Sequence, residues 1–156
     1  MAAIAYIGLG SNLGDRAATL QGALDVLNAH PRIDAVRCSR RIETEPVGGP
    51  TGQPRYLNAV AELSTTLGPD ALLALLQTVE TRFGRTRSVP DAPRTLDLDL
   101  LLYDDLCRTT PELTIPHPRM HQRRFVMGPL AEIAPDAWHP VVRKTAAEIL
   151  TELAAR

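Results

Sequence analysis

Aromatic residues make up only 4% of this 156-residue chain, and its formal net charge is -1 at pH 7. Proteins that bind RNA usually combine a basic surface with aromatic side chains that stack on bases, so this composition argues against nucleic acid as a partner. Long apolar runs are missing too, since no stretch approaches the ~18 residues that a membrane helix needs. The first residues lack the basic segment of a secretory signal. We therefore expect a cytoplasmic protein with no membrane partner.

Cysteine is equally scarce, and several familiar motifs are absent. Cys38 and Cys107 are far apart and form no CxxC pair, so neither a zinc site nor a disulfide framework is predicted. The chain contains neither the GxxxxGK[ST] motif of P-loop enzymes nor the GxSxG motif of hydrolases. Gly8, Gly10 and Gly14 resemble a dinucleotide-binding fingerprint only loosely, because the third glycine stands one position late.

The order of predicted elements favours an α+β fold in one domain, residues 1–156. Short apolar runs bounded by turn residues predict strands, and apolar residues at helical spacing predict helices. Strands are predicted at 3–9, 33–43, 56–66 and 96–103, with helices at about 15–31 and 69–84. This β-α-β-β-α-β order matches the ferredoxin-like plan, an antiparallel sheet with helices packed on one side. The remainder predicts a helical C-terminal extension, whose last helix begins at a capping box formed by Thr145 and Glu148.

Two irregular segments interrupt this plan. Residues 44–55 contain three prolines and three glycines, and residues 85–95 contain three arginines, Arg85, Arg87 and Arg94. Loops of this length inside a compact domain are more often functional than accidental.

The strand at 96–103 carries two acidic residues in an apolar run. Because strand side chains alternate, Asp97 and Asp99 are predicted to share one face with Leu101 and Tyr103, while four leucines, at 96, 98, 100 and 102, share the other. The strand rise separates the two aspartate Cα atoms by roughly 6.5–7 Å. Burying an unpaired carboxylate is costly, so these side chains need a cation.

That cation has two candidates. The loop arginines could form salt bridges with the aspartates, or the aspartates could bind a divalent metal. Mg²⁺ commonly takes one or two protein carboxylates and completes its shell with water and substrate phosphate. Nearby arginines would then stabilise phosphoryl oxygens, which indicates phosphoryl-type transfer. A third possibility, a metal site at His117 and His121, has the right i, i+4 spacing, but Pro116 and Pro118 argue against a regular helix there.

Five blocks of sequence, in order, resemble the 6-hydroxymethyl-7,8-dihydropterin pyrophosphokinase family over nearly the whole chain. PRTLDLDLLLYD (93–104) is the most specific. The others are AYIGLGSNLGD (5–15), TEPVGGPTGQPRYLN (44–58), QTVETRFGRTR (77–87) and IPHPRMHQRRFVMGPLAEIAP (115–135).

The resemblance implies transfer of the β,γ-diphosphate of ATP to the hydroxymethyl group of a reduced pterin, with release of AMP, in folate biosynthesis. It also implies a ferredoxin-like fold and two Mg²⁺ ions held by Asp97 and Asp99. The catalytic residues it implies are Arg85, Arg94, Asp97 and Asp99. The implied ATP-binding residues are Gln77, Glu80, Arg87, Leu100, Thr114, His117 and Arg123, and the implied pterin-binding residues are Thr44, Val47, Tyr56, Asn58 and Phe125.

The chain departs from the family pattern in three places. Some members carry a tryptophan in the loop matching 85–95, where this chain has Pro90 and Asp91. Some have a tyrosine where Pro118 stands, and a proline can occur in place of Glu45. Two alternatives stay open, another ATP-dependent kinase on the same fold and a ferredoxin-like RNA-binding module. A monomer is expected, since no apolar interface stripe stands out.

Overall fold

The computed structural model describes residues 2–45, 52, 54–84 and 96–156. Its main strands are β1 (Ala3–Ser11), β2 (Ile33–Cys38), β3 (Ile42–Thr44), β4 (Tyr56–Thr65) and β5 (Asp97–Tyr103). Four short strands follow, β6 (Arg108–Thr109), β7 (Thr114–Ile115), β8 (Trp138–His139) and β9 (Lys144–Thr145). The helices are α1 (Arg16–Ala29), α2 (Pro69–Arg82), α3 (Arg124–Ile133) and α4 (Ala146–Ala154), with a 3-10 helix at Met120–Gln122.

The five main strands form one antiparallel sheet in the order β2-β4-β1-β5, with β3 also paired to β4. This strand order, with α1 and α2 as the crossover helices, confirms the ferredoxin-like prediction. Strand β1 lies in the middle, so its carboxyl end meets the start of β4 on one side and the start of β5 on the other.

The predicted single strand 33–43 is wrong, because two shorter strands share that edge. Ser39 separates them. Its Oγ accepts a hydrogen bond from the Val60 backbone N–H at 3.0 Å, so a side chain replaces the backbone acceptor and the ladder is interrupted. β2 therefore pairs with one end of β4 and β3 with the other.

Two hydrophobic cores cover the two faces of the sheet. The α1/α2 core packs leucines of both helices, such as Leu20 and Leu72, against alternate residues of β1. The α3/α4 core packs Met127 and Ile149 against the opposite face. The predicted helices thus lie on one side, and the C-terminal extension covers the other. Its last helix begins at the predicted capping box, with both reciprocal hydrogen bonds of Thr145 and Glu148 present.

A β-bulge in β5 overturns part of the predicted alternation. Tyr6 pairs with Leu102 and Ile7 with Leu100, so Leu101 is the extra residue. Leu101 and Leu102 both belong to the α3/α4 core, whereas Tyr103 packs against the α1/α2 core. Leu102 and Tyr103 have therefore exchanged the faces predicted for them, while the aspartates precede the bulge and keep theirs.

Within the described ranges, every helix is too short or too polar to cross a bilayer.

Candidate active site

A cavity of about 600 Å³ opens where β1 ends and where β4 and β5 begin. The segment after the cis Ile115–Pro116 peptide forms its remaining wall. The predicted site residues that line the cavity are Thr44, Tyr56, Asn58, Asp97, Asp99, His117, Arg123 and Phe125. The fold therefore brings together residues from four separate parts of the chain.

The two aspartates line this cavity, and each is paired with a glycine on the neighbouring strand β1. Asp97 pairs with Gly10 of β1 and Asp99 with Gly8, so no side chain stands opposite either carboxylate on the neighbouring strand. Both aspartates are half-buried. Among the described residues, no three acidic, histidine or cysteine side chains cluster as metal ligands.

This donor set fits Mg²⁺. Two hard carboxylates on one face, directed into a cavity large enough for substrate, are what an Mg²⁺ site shared with phosphate requires. Fuller protein ligation is unnecessary, because water and phosphate oxygens complete the shell of such an ion.

Thr44, Tyr56 and Asn58 form a closely packed wall beside the aspartates. Asn58 is only 8% exposed, and its Nδ2 donates a hydrogen bond to Thr44 Oγ1. Gly10 makes room for this wall, since a Cβ at that position would lie 3.2 Å from Asn58 Oδ1 and 3.5 Å from Tyr56 Cδ1. The amide of Asn58 is thereby fixed in orientation.

Phe125 supplies a second aromatic ring to the cavity. The guanidinium of Arg123 lies 5.5 Å from the centroid of this ring, a cation–π distance that orders both side chains. Tyr56 and Phe125 come from β4 and α3, which belong to different layers of the fold.

His117 contributes a neutral imidazole. Its backbone N–H donates to Leu101 O at 2.9 Å, and its Nδ1 accepts from the Arg119 N–H at 3.3 Å. Burial lowers the pKa of His117, and Arg123 lowers it further, although Asp97 acts in the opposite direction. Because Nδ1 accepts, the neutral ring carries its proton on Nε2 and can donate from there.

Four predicted ATP-binding residues lie outside the cavity lining. Glu80 is 5% exposed, and its Oε2 accepts the Leu98 N–H at 2.8 Å, so it ties α2 to β5. Gln77 is exposed on α2. Leu100 lies in the α1/α2 core, and Thr114 is half-buried in β7. Their contacts with ATP stay predictions.

Four other predicted residues, Val47, Arg85, Arg87 and Arg94, lie outside the described residues. The alternative metal site at His117 and His121 gains no support. The His121 ring instead contacts the His139 ring edge to face, with 5.4 Å between centroids.

A model of the 7,8-dihydro-6-hydroxymethylpterin-pyrophosphokinase (HPPK) family matches residues 6–135. The chain belongs to this family. It is 47% identical over 130 residues to the 2-amino-4-hydroxy-6-hydroxymethyldihydropteridine pyrophosphokinase of Bacillus subtilis, a match that covers 83% of this chain and 77% of the relative. The enzyme of that name from Synechocystis is 42% identical over 149 residues, which cover 96% of this chain and 75% of the relative.

The crystal structure of Plasmodium falciparum HPPK-DHPS with pteroate is similar in fold, with a TM-score of 0.78 at 14% identity. The match covers 100% of this chain but only 43% of the Plasmodium chain. This family member therefore spans less than half of that longer protein, and the likeness shows the fold alone.

Sequence reasoning missed several residues of the cavity wall. Gly8, Gly10, Arg119, Gln122 and Arg124 line it without having been assigned a role. The glycines had a detectable signal, because they alternate with apolar residues in β1 and so mark a strand face without side chains. The polar residues lie in and beside the 3-10 helix, and Arg124 is the first residue of α3. Hydrophobic periodicity does not resolve so short a helix.

Proposed function

We propose that this chain transfers the β,γ-diphosphate of ATP to the hydroxymethyl group of 6-hydroxymethyl-7,8-dihydropterin in folate biosynthesis. The observation that carries the proposal is one cavity in which Asp97 and Asp99 adjoin the Thr44, Tyr56 and Asn58 wall. A metal-nucleotide site and a site for a flat heterocycle would thus share one space. Membership of the pyrophosphokinase family supports this chemistry.

The reaction joins the pterin hydroxyl oxygen to the β-phosphorus of ATP. The hydroxyl loses its proton to solvent water, and the bond between the β-phosphorus and the oxygen bridging to the α-phosphate breaks. Its electron pair leaves with AMP. Among the described cavity residues, we assign Asp97 and Asp99 to the metal, and Nδ1 of His117 already accepts the Arg119 N–H. Orientation and electrostatic stabilisation would therefore supply most of the rate.

Asp97 and Asp99 would hold two Mg²⁺ ions, which would neutralise phosphate charge and act as Lewis acids. The rigid central strands keep the two carboxylates in place, which favours precise orientation. His117 would donate from Nε2 to a phosphate oxygen, and Arg123 would add positive charge. Arg85 and Arg94 as transition-state contacts, and Arg87 as an ATP contact, remain part of the proposal.

The pterin would lie between Tyr56 and Phe125. Two rings on opposite sides of a slot suit a planar heterocycle. Asn58 would face the amide edge of the pterin, because an amide side chain offers both a donor and an acceptor. Its bond to Thr44 fixes which side of the amide faces the substrate, and Val47 would complete this wall.

We further propose that the chain acts as a single domain over 1–156, as a cytoplasmic monomer. Packing of α4 against α3 supports the single domain, since it joins the C-terminal residues to the cavity wall.

The test is a product assay with ATP, Mg²⁺ and the pterin that resolves AMP from ADP. The proposal predicts pterin-dependent AMP and no ADP. ADP would indicate a simple kinase on the same fold. If no nucleotide product forms, a non-enzymatic binding role becomes the better interpretation, and retention of labelled RNA at moderate salt would then test the RNA-binding alternative.

A further inference from the structure

Arg16 occupies an unexpected position at the start of α1. A positive side chain in the first turn of a helix is opposed by the partial positive charge of the helix N-terminus. That turn holds no acidic residue to offset it, although Asp15 caps the helix by accepting the Ala18 N–H at 3.1 Å. Arg16 nevertheless has a side chain that is only 28% exposed. Its contacts explain why.

The guanidinium of Arg16 joins two strands that border the cavity. Nη2 lies 2.5 Å from Glu43 Oε1 on β3, and Nη1 donates to the Arg55 backbone carbonyl at 2.9 Å, directly before β4. A planar fork can direct donors at two acceptors at once, which a lysine ammonium does less well.

Both partners stand next to residues of the pterin wall. Glu43 precedes Thr44, and Arg55 precedes Tyr56, and Thr44 and Tyr56 are themselves paired across β3 and β4. The Arg55 side chain strengthens the connection, since its Nε lies 2.8 Å from Glu45 Oε1.

A second side chain, from the connection between β1 and α1, supports β4. Asn12, which is fully buried, donates from Nδ2 to the Pro54 carbonyl at 3.3 Å. Asn12 and Arg16 thus hold two consecutive carbonyls at the entry to β4. Strand β3 is three residues long and pairs with β4, so it has few backbone bonds of its own to fix its position.

We propose that Arg16 is a positioning residue for the pterin site, which holds Thr44 and Tyr56 at the spacing that admits the substrate. This inference rests on the proposed function and extends it to a residue outside the cavity lining. Arg16 touches neither substrate in this account, and it acts through Glu43 and the Arg55 carbonyl.

A simple surface ion pair would predict something different. Exposed pairs contribute little to stability and have no preference for one substrate. A positioning role predicts that loss of Arg16 weakens pterin binding and leaves ATP binding nearly unchanged. Because Arg16 also donates to the Arg55 carbonyl, restoring only the charge of the ion pair should not fully restore pterin binding.

The experiment compares Arg16→Ala with Arg32→Ala. Arg32 is a matched control, because its guanidinium also bonds a side chain and a carbonyl, Thr66 Oγ1 at 3.0 Å and Thr66 O at 3.3 Å. It lies at the opposite end of β4 from Tyr56. The measurements are the pterin Kd with a non-hydrolysable ATP analogue, the Kd of that analogue alone, and thermal unfolding.

We expect Arg16→Ala to raise the pterin Kd about tenfold while the nucleotide Kd changes less than about twofold, with Arg32→Ala changing neither. Arg16→Lys should recover part of the loss, because it restores the charge without the fork. Glu43→Gln keeps the contact between Arg16 and the Arg55 carbonyl, so it should raise the pterin Kd by only about threefold. This variant replaces Arg16→Ala in the test if Arg16→Ala does not fold.

Two results would overturn the inference. One is an unchanged pterin Kd in Arg16→Ala, with or without a lower Tm. The other is an equal loss for both substrates, which would indicate a general disturbance of the fold. Failure of the wild-type protein to bind pterin or release AMP would instead contradict the proposed function, so the two failures are distinguishable.

Discussion

The proposed pterin and ATP sides of the cavity are built differently. On the proposed pterin side, Thr44, Tyr56, Asn58 and Phe125 all line one space, and a hydrogen bond from Asn58 to Thr44 fixes the orientation of those two side chains. On the ATP side, His117 and Arg123 reach the cavity, whereas Glu80 is engaged with the backbone of β5. The aspartates of β5 line the same cavity.

This difference teaches that a rigid pocket suits the small flat substrate, whereas the nucleotide requires charge as much as shape. A planar ring gains from preformed walls, since little ordering cost remains on binding. Polyphosphate is recognised by positive charge and metal ions, which act over longer distances than packing contacts. Substitutions on the two sides should therefore separate in their effects.

The largest effect on turnover is expected from Asp97→Asn, in the aspartate pair of β5. This change keeps the size of the side chain and removes a metal-binding charge, so kcat should fall by about a thousandfold or more. Steady-state AMP formation over a range of Mg²⁺ concentrations measures it. Asp105→Asn, an exposed residue after β5, is the control. Turnover of Asp97→Asn within about tenfold of wild type would contradict a metal role.

On the ATP side, Glu80→Ala should destabilise the fold by about 2 kcal/mol, because it leaves the buried Leu98 N–H without its acceptor. Gln77→Ala, on the exposed face of the same helix, should change stability by less than about 0.5 kcal/mol. Urea unfolding measures both. Equal stabilities would show that Glu80 is not a structural link between α2 and β5.

On the pterin side, Gly10→Ala should raise the pterin KM about fivefold with little change in the KM for ATP. The new Cβ would press on Asn58 Oδ1, which it would approach to 3.2 Å, and would come into ordinary contact with Tyr56. Gly128→Ala in α3 is the control, since a Cβ there meets nothing within 4 Å. An unchanged pterin KM would mean that the wall adapts and is not closely packed.

The smallest effect concerns pH. Burial lowers the pKa of His117 and of His139, and His121 lowers the second further. A histidine with a depressed folded pKa binds protons less readily than in the unfolded chain, so stability should fall as pH drops below about 6.5. His139→Asn keeps an acceptor for the Val142 N–H and should flatten this dependence. An equally steep dependence in the variant would exclude His139 as a contributor.

The element order and the cavity-lining residues Asp97 and Asp99 of PRTLDLDLLLYD could be predicted from the sequence. Hydrophobic patterning and a specific motif both report on local structure. The bulge at Leu101 could not be predicted, since it depends on pairing with Tyr6 and Ile7 from the first strand. The break at Ser39 likewise depends on one side-chain bond to β4. The hydrophobic periodicity of one segment cannot predict contacts of this kind between separate strands.

The site shows the same division. The position of Asp97 followed from alternation within one strand. Gly8 and Gly10 of β1, which pair with Asp99 and Asp97, could have been recognised in the same way. The tertiary contact of Glu80 and the bridge made by Arg16 required the relative placement of separate elements. Sequence reasoning described residues in the cavity better than the residues that support it.

The central claim is that the β5 carboxylates hold the metal and nucleotide against the pterin wall. The most direct test is paramagnetic broadening of backbone amide resonances by Mn²⁺ with a non-hydrolysable ATP analogue. We expect broadening at Gly10, Asn58 and Asp99, none at Thr65 at the far end of β4, and loss of the effect in Asp97→Asn. Broadening centred away from the cavity, or unchanged in that variant, would contradict it.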